Sequence, residues 1–243
     1  KGFYDKEHIY DIWLEIDDKA IRELPLSEYD NTGKKLWNYT HTFPITAFQS
    51  SKAGCVIGHS DGLLVCLDSE GNTLFSFYPG GSTYQAIMGA AISEDGKQVL
   101  CLCGLDKQRV VLINISGRQH KIVYHSYFEE DLRRQAFASF DKAGHFAVFE
   151  SAEGIGIIDC RNLTLSLIKE EGFIAGLGFQ DKNALLTVLL QKDDECSLLL
   201  IDPPDLMIGK TKFKSENAFL IQKENKIYIG TDEKITALDI RGL

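Results

Sequence analysis

The sequence predicts an all-β fold, a β-propeller of four-stranded blades, and three observations carry that reading. An apolar strand ending in Asp or Asn recurs along the chain. The same kinds of strand flank each copy in the same order. Turn signals interrupt the chain too often for long helices, and the runs between them are rich in β-branched and aromatic residues.

The recurring strand ends at Asp30, Asp68, Asn114, Asp159, Asp202 and Asp239, spaced 38, 46, 45, 43 and 37 residues apart. Such a period fits a module of four short strands. Before the marker comes a first strand rich in small and apolar residues: ITAF at 45–48, IMGAAI at 87–92, AFASF at 136–140, IAGLGF at 174–179 and AFLI at 218–221. Gly and Ala there suit a crowded inner strand near a propeller axis. A polar turn follows, clearest in SEDGK at 93–97 and DKAG at 141–144, where Gly supplies the positive φ of a tight turn. The second strands are CVIG at 55–58, VLCLCG at 99–104, FAVF at 146–149, ALLTVLL at 184–190 and IYIG at 227–230. They are apolar enough to be buried on both faces. After the marker, outer strands read TLFSF at 73–77, KIVY at 121–124 and LTLSL at 163–167.

At the chain ends the pattern is incomplete. Residues 9–40 read as second, third and outer strands with no first strand, and residues 217–240 as first, second and third strands with no outer one. Six blades are favoured. Five result if residues 36–39 close the last blade, leaving residues 9–27 as an added hairpin. With no linker or shift in composition, a single domain over 1–243 is expected.

Two segments add a family resemblance. YDNTGKKLW at 29–37 resembles the repeat signature of pyrroloquinoline-quinone-like propellers, and LDSEGNTLF at 67–75 is a weaker match. SEDGK at 93–97 resembles the turn of WD-type repeats, whose Trp-Asp dipeptide is absent. The resemblance implies a rigid platform, often outside the bacterial cytoplasm, so an extracytoplasmic, periplasmic location is suspected. It also implies, as an alternative, a Ca²⁺- or quinone-dependent oxidoreductase. Against that alternative, the chain has only two Trp and no adjacent Cys pair.

Composition narrows the function. Of 243 residues, 26 are Lys or Arg and 35 are Asp or Glu, a net charge of −9. Phosphate-backbone binders carry a basic face, so no nucleic-acid partner is expected. The longest apolar runs are strand-sized, well short of the roughly 18 residues of a membrane helix. The phosphate-loop ending at 209–211 fails because Pro204 stands where a Gly is required, and Gly154 and Gly156 begin a dinucleotide fingerprint whose third Gly position is Asp159. No hydrolase or EF-hand signature is present. Six Cys read mainly as buried thiols, with a Cys55–Cys66 cross-strand bridge and a metal site as lesser readings.

One constellation remains. The loops joining second to third strands carry Asp17 and Asp18, Asp61, Asp106, Glu150 with Glu153, Asp193 with Asp194 and Glu195, and Asp232 with Glu233. Such loops lie on the face where propellers bind ligands, and His59 lies beside Asp61. The candidate binding face is therefore Asp18, His59, Asp61, Asp106, Glu150, Glu153, Asp194 and Asp232, a negative surface for cations or basic partners. Asp is also favoured in turns for backbone reasons alone. The resulting expectation is a non-enzymatic, monomeric binding module for a protein partner. No cofactor is expected, with Ca²⁺ or pyrroloquinoline quinone as the alternative.

Overall fold

The computed structural model describes residues 2–4, 9–12, 15–17, 20–23, 26–81, 85–180, 184–223 and 226–240, with side chains from Leu26 onward. The described residues form antiparallel sheets, five of four strands and one of three, together with a two-stranded hairpin. The chain packs as two compact units, Lys1–Ser139 and Phe140–Leu243.

The first unit begins with β1 (Gly2–Tyr4), β2 (Ile9–Ile12), β3 (Glu15–Asp17), β4 (Ala20–Glu23), β5 (Leu26–Tyr29) and β6 (Lys35–Tyr39). Its first sheet has the order β1-β2-β5-β6, and β3 pairs with β4 as a separate hairpin. Two expectations change here. A first strand does exist, too short at three residues to register as an apolar run, and only 15–23 is an added hairpin. Residues 36–39 lie in β6, hydrogen-bonded to β5.

The second sheet contains β7 (Ile45–Ser51), β8 (Gly54–His59), β9 (Leu64–Asp68) and β10 (Thr73–Phe77). The third contains β11 (Ile87–Ile92), β12 (Gln98–Cys103), β13 (Arg109–Ser116) and β14 (Gln119–Tyr127). In each, neighbouring strands in sequence are neighbours in the sheet. The next sheet comprises β15 (Ala138–Phe140), which contains the unit boundary, β16 (Phe146–Ser151), β17 (Gly154–Asp159) and β18 (Thr164–Lys169). The second unit continues with β19 (Phe173–Phe179), β20 (Leu186–Lys192), β21 (Glu195–Asp202) and β22 (Leu206–Lys214), then β23 (Phe219–Lys223), β24 (Lys226–Gly230) and β25 (Ile235–Asp239). The last sheet, β23-β24-β25, lacks a fourth strand among the described residues.

The apolar second strands are explained by sheets stacking face to face. Along β8, Cys55 and Ile57 enter a core with Leu26, Val65 and Leu67, while Val56 enters another with Ile87, Val99, Cys101 and Val111. Along β20, Leu186, Val188 and Leu190 face Val148, Ile155 and Ile157, while Leu189 faces Leu220, Ile227 and Ile229. A strand with a core on each side must be apolar at every position, and each such side chain contributes about 1.5–3 kcal/mol of burial. The inner strands need small residues for the same reason. A Cβ on Gly89 would lie 2.8 Å from the Ala136 carbonyl oxygen, and one on Gly176 2.7 Å from the Leu220 Cβ. Register shifts recur near the start of β7, β11 and β19, between Ile45 and Ala47, Ile87 and Gly89, and Ile174 and Gly176.

The marker Asp also has a physical role. Asp30 Oδ1 accepts the Thr32 and Lys34 amides at 2.8 and 3.0 Å, Asp68 Oδ1 the Glu70 and Asn72 amides at 2.9 and 2.8 Å, and Asp159 Oδ1 the Arg161 amide at 2.9 Å. The carboxylate closes the turn into the outer strand by satisfying amides that the ladder leaves free.

The cysteines are all free thiols. Cys55 is opposite Leu67 and Cys66 opposite Val56, so the two are offset by one residue and enter different cores. The main reading of buried thiols thus holds for five of the six, and the lesser Cys55–Cys66 bridge is excluded because adjacent positions on a strand face opposite ways.

Candidate functional site

In the first unit, the turns between second and third strands and the linkers into the next first strand form one polar network. The β8–β9 turn contains His59, Asp61 and Gly62, the last at φ +92°. One oxygen of Asp61 accepts the Leu63 amide at 3.2 Å, closing the turn. The other is 3.3 Å from both His41 Nε2 and the Tyr78 hydroxyl, residues from the linkers before β7 and after β10. A carboxylate that is 7% exposed therefore ties two linkers to one turn.

His59 does the same from the strand end. It is fully buried, with Nδ1 3.0 Å from the Phe43 carbonyl and Nε2 3.1 Å from the Tyr39 hydroxyl. Because a carbonyl only accepts, Nδ1 carries the proton and Nε2 accepts from Tyr39. Burial, reinforced by His41 whose ring centroid is 4.3 Å away, pushes the His59 pKa down to about 4, so this imidazole is neutral. Burial and then the Asp61 charge push the Tyr39 hydroxyl up to about 12 and raise that of Tyr78. Both imidazole nitrogens of His59 are engaged and the tyrosines are poor acids. The arrangement holds the Phe43 carbonyl and the Leu63 amide in place.

The network continues through the next sheet. The Leu105 amide donates to Gln85 Oε1 at 3.3 Å, and Arg109 Nη2 donates to the Pro79 carbonyl with its guanidinium 5.8 Å from the Tyr127 ring centroid. Gln108 is buried, accepting the Leu132 amide at 2.6 Å and donating to the Leu132 carbonyl at 2.5 Å, while its own amide donates to Asp131 at 3.0 Å. Among the exposed side chains on this frame are four large apolar or aromatic ones, Phe43 at 46%, Tyr78 at 36%, Leu105 at 51% and Tyr127 at 58%, beside exposed Asp106, Lys107 and Glu129.

The residues of the expected negative face differ in exposure. Asp18 lies outside the described residues. His59 and Asp61 come together but are buried. Asp106 is exposed in the β12–β13 turn. In the second unit, Glu150 is 2% exposed and accepts the Ile174 amide at 2.8 Å. Glu153 is half-buried, 3.9 Å from Lys169 Nζ, and Asp194 is exposed, 3.3 Å from Lys214 Nζ. Exposed Asp232 accepts Ser215 Oγ and the Glu216 amide at 2.8 Å, and the Asn217 side-chain amide at 3.0 Å. These bonds hold its carboxyl at about 2. Asp61 and Asp232 thus each tie down a linker and Glu150 the start of β19, while exposed Asp232 keeps its negative charge. Calcium takes six to eight oxygens; among the described residues no three His, Cys, Asp or Glu side chains are placed to hold a metal ion. No described helix is long and apolar enough to cross a membrane.

The sequence reading missed the rim residues Phe43, Tyr78, Leu105 and Tyr127. Their signal was available, as large apolar residues in or beside turns where polar ones are the rule.

Among known proteins, an uncharacterized protein of Treponema pallidum (strain Nichols) is 40% identical over 218 residues, covering 90% of this chain and 58% of the relative. The chain thus spans less than two thirds of that relative's length. Solved structures with a similar fold are WD40-like propellers. The β-propeller domain of Myceliophteria thermophila Cps50 (Swd1) has a TM-score of 0.64 at 12% identity, covering 99% of this chain and 83% of that one. Saccharomyces cerevisiae Sqt1 has a TM-score of 0.64 at 15% identity, covering 91% and 68%. The computationally designed Ika8 protein has a TM-score of 0.68 at 15% identity, covering 99% and 70%. A family described as beta-propeller protein matches residues 21–243, in agreement with the stacked antiparallel sheets, and the chain belongs to that family.

Proposed function

We propose that this chain is a non-enzymatic binding module, six sheets acting as six blades, that engages a protein partner through the rim of its first unit. The observation that carries this reading is the set of exposed Phe43, Tyr78 and Leu105 side chains on linkers and turns, with Tyr127 at the end of β14, on a frame tied by polar groups. Tyr and Arg dominate the energetics of protein interfaces, and Arg109 lies beside Tyr127 here. Preorganised linkers reduce the ordering cost of binding.

The test is capture from a lysate of the source organism with the wild-type chain and a Phe43→Ser/Tyr127→Ser variant as baits. A protein held by the wild type and lost from the variant supports the reading; one retained equally by both refutes the rim as its site. Thermal unfolding with added Ca²⁺ or pyrroloquinoline quinone tests the cofactor alternative. A ligand that binds only the folded chain raises the midpoint by mass action.

A further inference from the structure

The third sheet carries a second feature at the strand ends opposite the rim. Around the β11–β12 and β13–β14 turns, an open cleft of about 970 Å³ is lined entirely by first-unit residues. Its cations are Lys97, Arg118 and Lys121, against the single carboxylate of Asp95. Even with His120 neutral, the cleft has an excess of two positive charges in a chain whose net charge is −9.

Among the described residues no carboxylate forms an ion pair with Arg118 or Lys121, and Glu94, in the same turn as Asp95, lies 3.9 Å from Lys52 Nζ. Lys97 Nζ lies 3.3 Å from Asp95, which accounts for the one carboxylate. The lysines of β22 provide the contrast: Lys210 pairs with Glu170 at 2.7 Å, Lys212 with Glu195 at 2.6 Å and Lys214 with Asp194 at 3.3 Å. Arg118 and Lys121 are exposed and line the cleft wall with Gln98, Asn114 and Gln119. Asn114 is opposite both Gln98 and Lys121 in the ladder, so amides and a cation form one row across three strands. The support beneath is firm, since the His120 ring packs 4.7 and 4.6 Å from those of Phe75 and Phe77.

We propose that this cleft binds an acidic peptide segment, with Arg118 and Lys121 taking its carboxylates and the amides of Asn114 and Gln119 taking its backbone. Charge complementarity selects the ligand sign, and Arg adds a planar fork that matches a carboxylate. The row of side-chain amides supplies both donors and acceptors, as a peptide backbone requires. The cleft's size suits several residues of extended chain more than a lone anion. This inference does not depend on the rim.

The experiment is fluorescence anisotropy of a labelled Glu-rich dodecapeptide titrated with the wild-type chain, at low and at physiological ionic strength. Binding is expected to weaken with salt and to fall at least about tenfold in Arg118→Glu/Lys121→Glu, with Lys226→Glu, outside the cleft, behaving as wild type. Arg118→Gln/Lys121→Gln serves as the milder variant should charge reversal impair folding, monitored by circular dichroism. Equal peptide affinity in the cleft variants and wild type overturns the proposal. So does tighter binding of inorganic phosphate or a single-stranded RNA than of the peptide, which would make the cleft a general anion or nucleic-acid site.

Discussion

His59 makes stability depend on pH in a way that can be calculated. Its folded pKa, about 4, lies below the ordinary 6.5 because the ring is buried and close to His41. Between those values the unfolded chain binds a proton that the folded chain refuses. The His59 contribution is therefore complete above about pH 6.5 and is lost as pH falls toward 4. From about pH 7 to about pH 5 the loss from this one group is about 2 kcal/mol, a window that lies above most carboxylate titrations. Urea unfolding of the wild type and His59→Gln across that window measures it, with the variant losing that much less stability on acidification. The His59 ring resonances should also stay those of neutral imidazole to about pH 5. A ring titrating near 6.5, or equal pH slopes in the two proteins, would refute the burial argument.

Two further perturbations test the frame. Glu150→Ala leaves the buried Ile174 amide without its acceptor, so a loss of about 1–3 kcal/mol is expected in thermal unfolding, with faster hydrogen exchange at that amide. An unchanged midpoint and exchange rate would show that Glu150 is dispensable. Gly154 lies at φ +136°, and a Cβ there would sit 2.2 Å from the Ile168 carbonyl oxygen, whereas Gly81 at φ +83° has nothing within 4 Å. Gly154→Ala should therefore cost clearly more than the roughly 1 kcal/mol of a strained but open site such as Gly81→Ala, read as the difference in urea midpoints. Equal costs would mean that the close approach at Gly154 is relieved by backbone movement.

The strands were legible because each carries its own signal. In 73–77 and 87–92 the reading matches β10 and β11 in full, and elsewhere ends shift by a few residues, as where AFASF at 136–140 contracts to β15. Strand β1 was invisible because three residues hold no period, and the hairpin over 9–27 of the five-blade alternative was too long because nothing local marks where β2 resumes pairing with β5. The site was read only in part. Asp61 and Asp232 were recognisable as turn carboxylates, but a turn Asp that faces solvent and one that caps a linker look the same in one dimension.

The sequence by itself determined what depends on neighbours along the chain: the β period, the four-strand repeat, the Gly and Asp turn chemistry, and the doubly buried second strands. Only the tertiary structure decided what depends on partners far apart in sequence. It placed His41 and Tyr78 on Asp61, sent Cys55 and Cys66 into separate cores, turned Glu150 inward to the Ile174 amide, and left Phe43, Leu105 and Tyr127 exposed. The physical reason is that a side chain's charge and exposure are set by which groups reach it when sheets stack, and those groups arrive from linkers and strands 17 to 24 residues away.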